Sequence, residues 1–124
     1  MASIVLVDDD IDIVKLFEHF LTNQGHRILG KAFDGEEAIS LVTNLPIKPD
    51  IILMDHRMPQ ISGLQATESI YNSFPDIKII VVSADMKVEQ QARNVGASAF
   101  LLKPISFKNV LTVIQTLIDD ENKI

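Results

Sequence analysis

The sequence predicts an α/β protein: one doubly wound (βα)5 domain spanning residues 1–124, with a five-stranded parallel sheet between two layers of helices. Three observations carry this expectation. Short apolar runs rich in β-branched residues recur along the chain without polar alternation, as strands buried on both faces require. Segments with apolar residues at helical spacing separate them. The chain has 124 residues, 47% of them hydrophobic and 23% charged, which is ordinary for one domain able to bury its own core.

Residues 4–7, 51–54 and 79–82 are the most apolar runs and are expected as central strands. Residues 27–33 mix Ile28, Leu29 and Phe33 with Arg27, Gly30 and Lys31, which suits an edge, and residues 100–102 supply the fifth strand. With the apolar strands inside, the order becomes 2-1-3-4-5, the flavodoxin-like arrangement. The first helical stripe is Ile13, Leu16, Phe17 and Phe20; the second is Ala38, Leu41, Val42 and Leu45; the third is Ala66, Ile70 and Phe74. Val88, Ala92 and Val95 form the fourth, and Val110, Val113, Ile114 and Leu117 the fifth, which runs into Asp119, Asp120 and Glu121. Gly25 and Gly96 stand where left-handed helix caps are wanted, and Pro46 and Pro75 follow the second and third stripes.

A formal charge of −6 and an isoelectric point near 4.9 argue against direct nucleic-acid binding, which needs a surplus of Lys and Arg. The absence of cysteine removes disulfides, thiolate nucleophiles and sulfur-ligated zinc together. No apolar stretch approaches the roughly 20 residues of a membrane helix, and no signal-peptide pattern opens the chain, so a cytoplasmic location without membrane attachment is expected.

Open parallel sheets bind ligands beyond the carboxyl ends of their strands, where neighbouring connections leave to opposite faces. Here strand one ends at Asp8, Asp9 and Asp10, strand three at Asp55, strand four at Ser83 and strand five at Lys103. Carboxylates crowded together repel and raise one another's pKa, so holding them ionised calls for a cation. A donor set of hard oxygens without His or Cys suits Mg2+, which is held by one or two carboxylates and completes its shell with water and phosphate. A carboxylate attacking phosphorus in such a site forms an aspartyl phosphate.

The motifs VDDD at 7–10, DHRMP at 55–59 with Gly63 beyond it, SA at 83–84 and KP at 103–104 together resemble the response regulator receiver domain of two-component signalling, across the whole chain. The resemblance implies Asp55 as phosphoacceptor, with Asp8, Asp9, Asp55 and the backbone carbonyl of Arg57 as Mg2+ ligands. It implies Ser83 and Lys103 as catalytic partners of the phosphoryl group, and a cis Lys103–Pro104 bond. Ser83 and Phe100 would be the switch residues; Phe100 stands where the family often has Tyr, so any switching works by ring packing alone. His56 and Arg57 are expected to tune the lifetime of the phosphate. The implied partners are a sensor histidine kinase or phosphotransfer protein of a phosphorelay and an output partner reading helix four, strand five and helix five. A dimer formed on phosphorylation is a further output it allows. A stand-alone receiver that catalyses its own phosphorylation and dephosphorylation is expected, not a multiple-turnover enzyme.

Plainer readings account for part of this. Asp10 suits a helix N-cap and Asp12 the first turn of a helix, but capping needs one carboxylate and leaves Asp8 and Asp9 unexplained. The spacing Asp8-x-Asp10-x-Asp12 imitates a calcium loop, yet Ile13 stands where glycine is required and His19 where the bidentate Glu belongs. His19, His26 and His56 lack metal-ligand spacing and are expected at the surface; Met54 and Met58 are expected to pack. Two other functions compete. A haloacid-dehalogenase-like phosphatase would use Asp10-x-Asp12 as its first motif, and a pseudo-receiver would bind a partner without phosphorylation.

Overall fold

The structure, a computed structural model, describes residues 1–121. Residues 122–124, the end of the expected domain, lie outside the described residues. The chain alternates β1 (Ser3–Val7), α1 (Ile11–Asn23), β2 (Arg27–Ala32), α2 (Gly35–Asn44), β3 (Ile51–Asp55), α3 (Gly63–Ser73), β4 (Lys78–Ser83), α4 (Glu89–Asn94), β5 (Ala99–Leu102) and α5 (Phe107–Glu121), with a 3-10 turn at Met86–Val88 before α4. The five strands are parallel in the order β2-β1-β3-β4-β5.

Strand alternation divides the core in two. On one face Val5, Val7, Ile52, Met54, Ile79 and Val81 pack with Ala38 and Val42 of α2, Ala66 and Ile70 of α3 and Ala92 of α4. On the other, Ile4, Leu6, Ile51, Leu53, Ile80 and Val82 pack with Val14, Phe17 and Leu21 of α1 and Val110 and Ile114 of α5. This corrects the stripe expected for α1. Phe17 is buried as expected, and Phe20 packs partly against the core, but Ile13 and Leu16 are 37% and 51% exposed while Val14 and Leu21 take the sheet-facing positions.

Local chemistry sets the helix boundaries. The Asp10 carboxylate accepts from the Asp12 and Ile13 N–H groups, which makes it the N-cap of α1, and Asp34 accepts from Glu37 N at 2.7 Å for α2. Ser62 and Gln65 form a reciprocal capping box at α3. Gly25 and Gly96 adopt φ of +91° and +111°, the left-handed backbone expected after α1 and α4. The Lys48 ammonium donates to the carbonyls of Val42, Thr43 and Leu45, closing the C-terminal end of α2, and lies 4.6 Å from the centre of the Phe74 ring. Among the described residues no helix is long and apolar enough to cross a membrane.

His26, expected at the surface, is half-buried, and its Nδ1 accepts the Ala2 N–H at 3.0 Å. Burial, followed by the N-terminal ammonium, lowers its pKa from 6.5. A depressed histidine pKa contributes stability above the unfolded value that is lost as pH falls through the folded one. The thermal midpoint is therefore expected to fall more steeply between pH 7 and about 5 in the parent protein than in His26→Gln. Parallel slopes in melts across that range would remove His26 as the cause.

Candidate functional site

Beyond the regular pairing, the β1 tip is tied to β2, and the β3 and β5 tips are each tied to β4. Asp8 N donates to Ala32 O at 3.2 Å, His56 N to Val82 O at 2.9 Å and Lys103 N to Ser83 O at 2.8 Å. These bonds carry the pairing one residue past β1, β3 and β5. The loop after β3 is closed by Gly63 N donating to His56 O at 2.8 Å, so α3 starts directly against the strand end.

One carboxylate oxygen from each of Asp8, Asp9 and Asp55 lies within 4.8 Å of the others. Asp55 is 4% exposed, Asp8 half-buried and Asp9 open to solvent. Lys103 Nζ stands 2.7 Å from Asp55 Oδ1. This ion pair compensates the charge of the buried carboxylate. The Lys103–Pro104 bond is cis, as the resemblance implied.

The electrostatics follow from burial against repulsion. Burial pushes Asp8 up to about 6; the Asp10 N–H, 2.9 Å from Asp8 Oδ1, opposes the rise and the charge of Asp55 adds to it. Asp55 also moves upward, by burial first, with Lys103 pulling it down and Asp9 pushing it up. Burial lowers Lys103, but Asp55, Asp8 and Asp9 outweigh it and the net shift is upward. Both partners of one ion pair thus rise: the exposed ammonium gains three anions, while the buried carboxylate loses more water than one ammonium replaces.

A raised carboxylate pKa stabilises the fold below the unfolded value, and that contribution is lost as pH rises through the folded one. In metal-free buffer Asp8→Asn is therefore expected to be more stable than the parent at pH 7.5, by about 1–2 kcal/mol after allowing for solvent screening. The gain should shrink toward pH 4. Denaturant titrations at the two pH values check it; a gain independent of pH would assign it to packing instead.

The other expected site residues are placed less directly. Ser83 is 3% exposed, and its Oγ accepts the Asp85 N–H at 3.0 Å, so the hydroxyl is engaged with the β4–α4 turn. Ala84, Arg57 and Lys103 line the cavity over the carboxylates. Phe100 is half-buried and packs against the α2–α4 core, away from the carboxylates. Asp10 Oδ1 accepts from the Asp12 and Ile13 N–H groups, so Asp10 caps α1 and stands outside the three-carboxylate cluster. His56, expected at the surface, is half-buried, and its Nδ1 is buried without a hydrogen-bond partner. Sequence reasoning missed the apolar side of the cavity, formed by Ile13, Leu16, Phe17, Ile105 and Phe107. The available signal was a surplus: α1 carries more apolar residues than one stripe can bury.

Residues 4–115 match the response regulator receiver domain family. The chain belongs to that family. The CheY chemotaxis protein of Thermotoga maritima is 32% identical to this receiver domain over 113 residues, covering 90% of this chain and 92% of that protein. The response regulator GacA of Pseudomonas aeruginosa is 33% identical over 115 residues, and those cover 90% of the receiver domain but 53% of GacA. The chain thus spans about half the length of that relative and more than nine-tenths of the first. Among solved structures, a chain of the CheX–CheY–BeF3–Mg complex from Borrelia burgdorferi superposes with a TM-score of 0.88 at 27% identity, covering 94% of this receiver domain and 88% of that chain.

Proposed function

We propose that this receiver domain accepts a phosphoryl group on Asp55 in a Mg2+-dependent reaction and thereby controls a partner in two-component signalling. The observation that supports it most is the Asp8, Asp9 and Asp55 cluster beside the Lys103 ammonium at the strand tips. The donor is a sensor histidine kinase, a phosphotransfer protein or a small phosphodonor, and the compartment is the cytoplasm. That a relative's structure contains CheX, beryllofluoride and magnesium together agrees with this reading.

The residues fit a hard dication. Their oxygens lie close enough to share one ion, two of the three carboxylates are held above their ordinary pKa by burial, and no His or Cys competes. Asp8, Asp9, Asp55 and the Arg57 carbonyl would hold it, and when bound it neutralises charge on the phosphoryl oxygens. Asp55 presents one oxygen as nucleophile. The bond from Asp55 Oδ to phosphorus forms as the bond from phosphorus to the donor's leaving atom breaks, and the leaving atom keeps the electron pair. Lys103, already aimed at Asp55, takes up the charge of the product. Ser83 Oγ accepts the Asp85 N–H and keeps its own O–H to donate, so a small movement toward a phosphoryl oxygen would add a charge-assisted bond. That movement loosens the β4–α4 turn, and Phe100 repacks to alter the surface of α4, β5 and α5.

Incubation with acetyl phosphate and Mg2+ tests the reading. One acid-stable, base-labile phosphoryl group per chain is expected, with EDTA preventing it. Labelling that persists in EDTA would remove the metal from the scheme.

A further inference from the structure

The cavity does not stop at the carboxylates. It continues from Asp8, Asp9, Asp55 and Lys103 into a trough between α1 and the β5–α5 connection, in one space of about 790 Å³. Ile13, Leu16 and Phe17 line it from α1, and Ile105 and Phe107 from the β5–α5 connection and the start of α5. The Phe107 ring stacks on Phe20 at 4.2 Å and meets Phe17 edge-on at 5.1 Å, so the two sides join at these rings and the lining is built into the packing of α1 against α5. Volumes of roughly 300–1,000 Å³, apolar walls and a few polar groups converging at one end characterise small-molecule sites. Here the polar end suits a phosphoryl group, and the apolar walls suit whatever the phosphoryl group is attached to.

We infer that among small phosphodonors this chain prefers acyl phosphates whose acyl group is an aromatic ring, with the phosphoryl at Asp55 and the ring in the trough. The inference rests on the assignment of Asp55 as acceptor. The bond from Asp55 Oδ to phosphorus forms while the bond from phosphorus to the acyl oxygen breaks. The bonding pair leaves with that oxygen, so the products are aspartyl phosphate and a free aromatic carboxylate, with no change of oxidation state. An acetyl group offers the trough a single methyl; a benzoyl group offers a ring, and the apolar area it removes from water appears as tighter binding of the donor.

The test follows labelling of the whole chain with Mg2+ over a concentration series of acetyl phosphate and of benzoyl phosphate. The half-saturating concentration is expected to be about tenfold lower for benzoyl phosphate. Leu16→Ser, at a half-exposed position on α1, is expected to remove most of that ratio. Phenylphosphonate, which has no transferable phosphoryl group, supplies a readout independent of transfer. It is expected to shift the amide resonances of Leu16 and Phe107, whereas methylphosphonate shifts only those at the acidic end. Equal half-saturation for the two acyl phosphates, or phenylphosphonate shifts confined to the acidic end, overturns the preference and leaves Asp55 as acceptor. If neither donor labels the chain, the acceptor assignment falls and the preference with it.

Discussion

Asp55→Asn is expected to lower phosphoryl uptake from acetyl phosphate to below about one thousandth of the parent rate, because an amide oxygen is a poor nucleophile toward phosphorus. The fold should survive the change. Burial, more than the Lys103 ammonium, sets the direction of the Asp55 pKa, so a neutral side chain of the same shape costs little at a site that is 4% exposed. Intact mass after incubation with donor and Mg2+, taken with a thermal melt of the same sample, separates chemistry from stability. A folded Asp55→Asn protein that labels at the parent rate would move the acceptor to another carboxylate, with Asp9 and Asp8 next in reach.

The second large effect concerns Gly63. A Cβ at this position would overlap the Asp55 carbonyl oxygen and lie 2.8 Å from His56 Cα and 2.9 Å from the Asp55 carbonyl carbon. All three are backbone atoms, and they cannot rotate aside as a side chain can. Relief requires moving the start of α3 off the end of β3, which strains the Gly63 N–H bond to His56 O. Gly63→Ala is therefore expected to cost about 3 kcal/mol or more, a large share of the roughly 5–15 kcal/mol a domain possesses. Gly25→Ala is the control. It meets open space at φ +91° and should cost only the left-handed backbone penalty of about 1 kcal/mol. Denaturant midpoints for the two variants decide the matter, and similar losses would refute the steric account of Gly63.

The strands were legible because a parallel sheet with helices on both faces imposes unbroken apolar runs, and residues 4–7, 51–54 and 79–82 are such runs. β1, β3, β4 and β5 gained a residue or two at their ends in the structure, where Ser3, Asp55, Lys78, Ser83 and Ala99 pair despite falling outside the apolar runs, and β2 ends one residue short, at Ala32 instead of Phe33. Once the strand order is known, the convergence of Asp8, Asp9, Asp55 and Lys103 follows from topology alone, which is why the polar half of the site was readable from one sequence. Faces within helices were harder. Helix α1 has Ile11, Ile13, Val14, Leu16, Phe17, Phe20 and Leu21 in one stretch, so two stripes compete, and only the position of α5 decides between them. The fourth helical stripe spans two kinds of turn: Asp85 caps a 3-10 turn through Lys87 N at 2.9 Å, and α4 proper covers only Glu89–Asn94. His26 and His56 looked like surface residues because the partner of one is a backbone N–H and the other has a buried Nδ1 with no hydrogen-bond partner. No spacing rule sees either.

Strand alternation at the end of β3 has one more outcome. Ile51 and Leu53 belong to the α1/α5 compartment and Ile52 and Met54 to the α2–α4 compartment, so Asp55 and His56 leave the sheet in opposite directions. The carboxylate that joins the acidic cluster and the imidazole whose Nδ1 is buried without a partner are therefore neighbours along a single amide.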